Sequence, residues 1–143
     1  MPSMRFEKHC WAEIDLDALA ANYRHIRRHA GGPVCGVIKA DGYGHGALAV
    51  ADTLRAAGCA AFAVSCLSEA RQLRDHGIAG PILILGYTDP AFADELAALD
   101  ITQTLFSAEY GAALSAAASA ANCTVACHLK ADTGMGRIGF ALR

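Results

Sequence analysis

Short apolar runs recur along this chain at intervals of roughly twenty to twenty-five residues, each followed by a segment of helical periodicity. That alternation constrains the fold more than any single residue, because a strand, a helix and a second strand of the same hand make a parallel β/α unit. Strands are expected over 34–38, 60–65, 81–85, 101–106 and 124–130, with helices over 17–30, 47–57, 67–76, 91–99 and 107–121. A further strand is expected over 11–16, where Trp11, Glu13 and Asp15 alternate with Ala12, Ile14 and Leu16. Asp17 is placed to cap the first helix, Leu19, Tyr23, Ile26 and Ala30 share one face of it, and Gly31-Gly32-Pro33 ends it. The alanine-rich segment 112–121 reads as helix, since alanine is the best helix former and Leu114 supplies a buried face. Periodicity alone does not separate a doubly wound sheet from a (β/α)8 barrel.

Within this pattern the stretch 34–46, V-C-G-V-I-K-A-D-G-Y-G-H-G, carries the chemistry. Val34, Gly36, Val37 and Ile38 read as a short, fully buried strand that delivers Lys39 to its carboxyl end. In parallel α/β folds ligands gather at that end, where the loops leave the strands. A lysine walled by apolar groups loses its proton more readily and becomes a nucleophile toward a carbonyl. Gly42, Gly44 and Gly46 let the backbone turn sharply, and free N–H groups ahead of the next helix suit a phosphate.

Composition narrows the function classes. With 143 residues, 54% of them hydrophobic, the chain is long enough to bury a sizeable core, and its net charge of −2 without a basic stripe argues against nucleic acid. No apolar run approaches a membrane span and the amino terminus lacks the apolar segment of a signal peptide, so a cytosolic protein without a membrane partner is expected. The six cysteines form no C-x-x-C and sit mostly in apolar segments, as free core thiols. His25 with His29, and Cys123 with Cys127 and His128, have poor spacing or setting for a shared ion, so no metal is expected.

The string K-A-D-G-Y-G-H-G, with W-A-E-I-D-L-D-A-L-A-A-N-Y before it and I-L-I-L-G-Y-T and H-L-K-A-D-T-G-M-G-R-I-G-F after it, resembles the amino-terminal half of the alanine racemase family in order and spacing. The resemblance implies a partial (β/α)8 barrel of TIM type with about five of its eight strands, residues 1–16 forming a strand segment and 17–143 the truncated barrel. The family's carboxy-terminal β domain has no counterpart. It implies pyridoxal 5′-phosphate as cofactor, bound covalently by Lys39, which is also the catalytic base on one face of the substrate. It further implies Tyr43 on the cofactor phosphate, Arg137 on its phenolic oxygen within the loop punctuated by Gly134, Gly136 and Gly139, and Lys130, carbamylated in some members, supporting Arg137.

The activity implied is interconversion of L- and D-alanine for cell-wall precursors by a homodimer, with a tyrosine of the partner subunit as the second acid/base. Serine racemases share the family, and alanine is preferred by its frequency there. The 143 residues are expected to be a fragment or truncated product, catalytically incomplete alone. The alternative is a non-catalytic partial barrel, at most a weak cofactor binder or assembly partner.

Overall fold

The computed structural model describes residues 10–141. In chain order its elements are α1 (Leu16–Ala30), β1 (Gly36–Val37), a single left-handed helical turn α2 (Lys39–Gly44), α3 (Ala47–Ala56), β2 (Phe62–Val64), α4 (Leu67–Asp75), β3 (Ile82–Ile84), a 3-10 turn (Pro90–Phe92), α5 (Ala93–Ala98), β4 (Ile101–Leu105), α6 (Ala108–Ala120), β5 (Cys127–Leu129), β6 (Ala131–Asp132) and β7 (Phe140–Ala141). Strands β1 to β5 form one parallel sheet in sequential order, with Gly36 opposite Phe62, Phe62 opposite Ile82, Ile82 opposite Ile101, and Gln103 opposite Cys127. An order that never reverses is that of a barrel wound in one direction; a doubly wound sheet would switch direction at some strand.

Apolar positions at helical spacing bury one face of each covering helix. Val50, Ala51 and Leu54 do so on α3, Leu67, Ala70 and Leu73 on α4, and Tyr110, Leu114 and Ala118 on α6. Against them lie Phe62, Val64, Ile82, Ile84 and Ile101, all almost fully buried; each large side chain of this kind contributes about 1.5–3 kcal/mol on leaving water. Ser107 caps α6 as expected, its Oγ accepting the Tyr110 N–H at 3.1 Å. At the amino-terminal ends of the strands, Arg74 donates to the carbonyls of Ile78 (2.7 Å), Leu99 (2.8 Å) and Asp100 (2.8 Å), tying α4 to the lead-in of β4. Among the described residues no helix is long and apolar enough to cross a membrane.

Several expectations are corrected. Residues 11–16 form no strand: Trp11 is 70% exposed, and α1 begins at Leu16. Backbone donors and acceptors need a partner strand, and none of the described elements pairs with this segment. A boundary at 16/17 therefore falls inside α1, and the cap is Asp15 instead of Asp17, with Asp15 Oδ1 accepting the Ala18 N–H at 2.9 Å. The buried face of α1 is Ala20 and Tyr23, with Leu19 partly buried; Ile26 and Ala30 face solvent.

The strand ahead of Lys39 shrinks to Gly36–Val37 and is not fully buried. Ile38 lies in the core, but Val37 is 42% exposed, since among the described residues β1 has a neighbouring strand on one side only. Strand β5 is likewise short and exposed throughout. The cysteines are free, yet only Cys59 is fully buried; Cys66 and Cys123 are partly so, and Cys10, Cys35 and Cys127 lie in the open.

Candidate active site

Because β1 to β5 run parallel, the residues following them all emerge at the carboxyl ends of the strands: Lys39 after β1, Ser65 after β2, Gly86 after β3, Phe106 after β4 and Lys130 after β5. Lys39 is half-buried there. Its Nζ lies 5.9 Å from the centroid of the Tyr43 ring, within cation–π range. Tyr43 itself is largely exposed.

The chain brings these two together by an unusual local conformation. Ala40 (φ 50°, ψ 52°), Asp41 (54°, 46°), Gly42 (62°, 37°) and Tyr43 (56°, 37°) all adopt left-handed helical geometry in succession. For a residue with a Cβ that costs about 1–2 kcal/mol, so three of the four positions are strained and the surroundings must hold them. Only Gly42 carries no such penalty, and there a Cβ would meet Ala47 N and Cα at van der Waals contact, 3.4 Å, so the positive φ alone is what favours glycine.

Two carboxylates supply the hold. Asp41 Oδ1 accepts the Ala47 N–H at 2.8 Å, which fixes the turn to the start of α3. Glu69 reaches across from α4, accepting the Ala40 N–H on Oε1 at 2.8 Å and both the Ser65 N–H (2.7 Å) and the Ser65 hydroxyl (2.8 Å) on Oε2. Burial pushes the Glu69 carboxyl upward, but the donors from Ser65 and Ala40 outweigh it and hold it below the usual glutamate value. The Ala47 amide, one of those ahead of α3 that could meet a phosphate, is thus already engaged by Asp41.

At the far edge, Lys130 is half-buried and Arg137 exposed on the loop between β6 and β7. Asp132 shapes that loop: its carboxylate accepts the N–H groups of Gly134 (3.0 Å) and Gly136 (3.0 Å). Those amides from Gly136 and Gly134, aided by the charge of Lys130, keep the Asp132 carboxyl below its ordinary range. Gly139 is required where the loop closes, since a Cβ would sit 2.9 Å from both Asp132 N and Lys130 O. Four strand spacings separate β1 from β5, roughly 19 Å along a flat sheet. No hydrogen bond or ion pair among the described residues joins Lys39 or Tyr43 to Lys130 or Arg137.

Of the site residues expected from sequence, then, Lys39 and Tyr43 meet, while Lys130 and Arg137 lie past the carboxyl end of β5, apart from them. Glu69 and Asp132 were not anticipated. Glu69 had a sequence signal: the third residue of a helix, after Ser65 four positions back, resembles a capping box displaced by one residue.

The family model for the alanine racemase N-terminal domain matches residues 14–143. The chain belongs to that family. It is 50% identical to alanine racemase 1 of Clostridium acetobutylicum over 131 residues, which is 91% of this chain and 34% of that protein. It is 51% identical to the alanine racemase of Desulfovibrio desulfuricans over 136 residues, 94% of this chain and 37% of that one. Among solved structures, the alanine racemase of Bacillus anthracis with bound L-Ala-P superposes with a TM-score of 0.87 at 34% identity, covering 96% of this chain and 36% of the other. A histidine racemase from Leuconostoc mesenteroides gives 0.83 at 32% identity, covering 88% and 34%. The chain therefore spans about a third of the length of the relatives it matches, and its sheet is the first part of an α/β barrel of TIM type.

Proposed function

We propose that this chain is the cofactor-holding amino-terminal part of a pyridoxal-phosphate-dependent amino-acid racemase, with the residues from the start of α1 onward as its portion of the barrel. The observation that carries the reading is the Lys39–Tyr43 pair on a strained turn at the carboxyl end of the parallel strands. The donor set supports it: two amines, a phenol and a guanidinium, none with a side-chain hydrogen bond or ion pair among the described residues, suit an anionic aldehyde bearing a phosphate. Lys39 Nζ is the group that would hold the aldehyde covalently, Tyr43 the phosphate and Arg137 the phenolic oxygen. Lys130 would steady Arg137, as a carbamate if modified. When bound, the cofactor would supply an electron sink for charge developing at the substrate Cα.

The residues of the chain have the proton to handle. An amine at Lys39, once released, takes the Cα proton on one face or returns it there. Inversion needs a second acid/base on the opposite face, which we assign to the rest of the longer protein or to the partner subunit of a homodimer. Alanine is the proposed substrate, on the strength of curated relatives half-identical to this chain; the product D-alanine would feed cell-wall precursors. A reducing cytoplasm fits the exposed free thiols of Cys10, Cys35 and Cys127.

The decisive experiment is reductive labelling. Pyridoxal phosphate with borohydride should modify Lys39, as mapped by peptide mass, and Lys39→Ala should abolish that label while the other lysines, Lys8 and Lys130, serve as internal controls. Unchanged total labelling in Lys39→Ala, or labelling spread evenly over the three, overturns the assignment.

A further inference from the structure

The parallel ladder between β1 and β2 stops at Lys39, and what replaces its next rung is a single carboxylate. Gly36 N–H donates to Ala61 O and Ile38 N–H to Ala63 O, both at 2.9 Å. Continued by one step, the same pattern would send Ser65 N–H to Ile38 O and Ala40 N–H to Ser65 O. Neither bond forms. The chain turns left-handed after Lys39, and Ile38 O accepts the Gly42 N–H at 3.0 Å instead.

The turn therefore strands two backbone donors from different strands, Ala40 N–H and Ser65 N–H. Glu69 takes both, one on each carboxylate oxygen, and adds the Ser65 hydroxyl. Without that carboxylate the half-buried Ser65 N–H would lose its partner and the more exposed Ala40 N–H would have only water, and Ala40 is the turn's first left-handed residue, bonded directly to Lys39. From this we propose that ionised Glu69 is a positioning residue for Lys39, holding the left-handed turn that aims the amine; it rests on the cofactor role proposed for Lys39 only for what the amine is aimed at.

The chemistry of the carboxylate is specific. It accepts with both oxygens, whereas a carboxamide of the same shape presents one acceptor and one NH2, and the NH2 would oppose an N–H donor. Glu69→Gln therefore keeps volume and packing but can satisfy Ala40 or Ser65, not both. Protonation of Glu69 has the same effect. The ionisable residues on the facing turn are Lys39, Asp41 and Tyr43, with Asp41 already bonded to Ala47. On its own side lies Cys66, whose thiol is pushed up by burial but held below its ordinary value by hydrogen bonds from Ser68 and the Glu69 backbone N–H, and Arg71 is paired with Glu95 on α5.

The test uses the 143-residue chain without cofactor, by nuclear magnetic resonance. In Glu69→Gln the Ala40 or Ser65 amide should exchange about 10- to 100-fold faster than in the wild type. Core amides such as those of Ile82 and Ile84 should be unchanged. The ε-methylene protons of Lys39, shifted by the nearby Tyr43 ring in the wild type, should move toward their solvent position. Should Glu69→Gln fail to fold, acid titration of the wild type reads the same signals, which must move together as Glu69 takes up its proton. Amides that exchange at wild-type rates in Glu69→Gln overturn the proposal, and so does a Lys39 resonance that stays in place while those amides loosen. Absence of reductive labelling at Lys39 alongside the expected amide changes would instead remove the cofactor reading and leave the hold of Glu69 on the turn standing.

Discussion

The two edges of the sheet carry comparable chemistry in unlike settings. After β1, Lys39 sits on a turn locked by Glu69 and Asp41 against α4 and α3, beside core residues such as Ile38 and Val50. After β5, Lys130 and Arg137 sit on a loop shaped mainly by its own Asp132, next to a strand whose Leu129 is 77% exposed. The difference is one of neighbours. Strand β1 leads straight into a turn packed on two helices, while β5 has β4 on one side and, among the described residues, no strand on the other, and all three of its residues are exposed. A basic side chain is aimed by what surrounds its backbone, so the first edge is organised within this chain and the second awaits a covering neighbour.

That contrast can be broken most sharply in the core. Phe62, buried on β2 behind the first edge, should cost about 3–5 kcal/mol of unfolding free energy when changed to alanine. Leu129→Ala on β5 should stay within about 0.5 kcal/mol. Urea unfolding of both variants measures the gap, and equal losses would mean that β5 is as well packed as β2.

A smaller effect lies in the pH dependence. The Glu69 carboxyl is held below its ordinary value of 4.5, so its contribution to stability is complete above that pH and is lost as pH falls through the depressed folded value. The wild-type denaturation midpoint should therefore drop in this acid window by more than that of Glu69→Gln. Asp52, held down chiefly by its hydrogen bond from His76, and Asp132 titrate in the same direction in both proteins, so the difference between the two curves isolates Glu69. Parallel curves would show that the carboxylate stabilises nothing.

The smallest effect is expected at the second edge. Asp132→Ala should speed amide exchange at Gly134 and Gly136 while global stability changes by no more than about 0.5 kcal/mol. Global unfolding at lower denaturant would tie this loop to the core and erase the contrast.

Much of the architecture could be read before any coordinates. Alternating apolar runs and helical periods located five parallel strands within a few residues, because burial between layers selects those periods directly. Ser107 and Gly31 marked the start of α6 and the end of α1 through capping chemistry that is local. Misreadings came where a residue's state depends on a distant partner. The alternation at 11–16 matched a strand, but a strand exists only if another edge accepts it. Val37 and Cys127 read as core because their neighbours in sequence are apolar, yet both lie exposed on the two outermost strands of the sheet. Ile26 followed the helical period and still faces solvent, since the positions α1 buries are Ala20 and Tyr23.

At the site the same division holds. Lys39, Tyr43, Lys130 and Arg137 were nominated by motifs that are contiguous in the chain, and the order of β/α units alone puts the motifs after the carboxyl ends of the first and fifth parallel strands. That three non-glycine residues after Lys39 turn left-handed, and that a glutamate twenty-nine positions on receives the donors they strand, belongs to tertiary structure. The physical reason is that local sequence sets which conformations are cheap, whereas an expensive one persists only where partners from other elements converge to hold it.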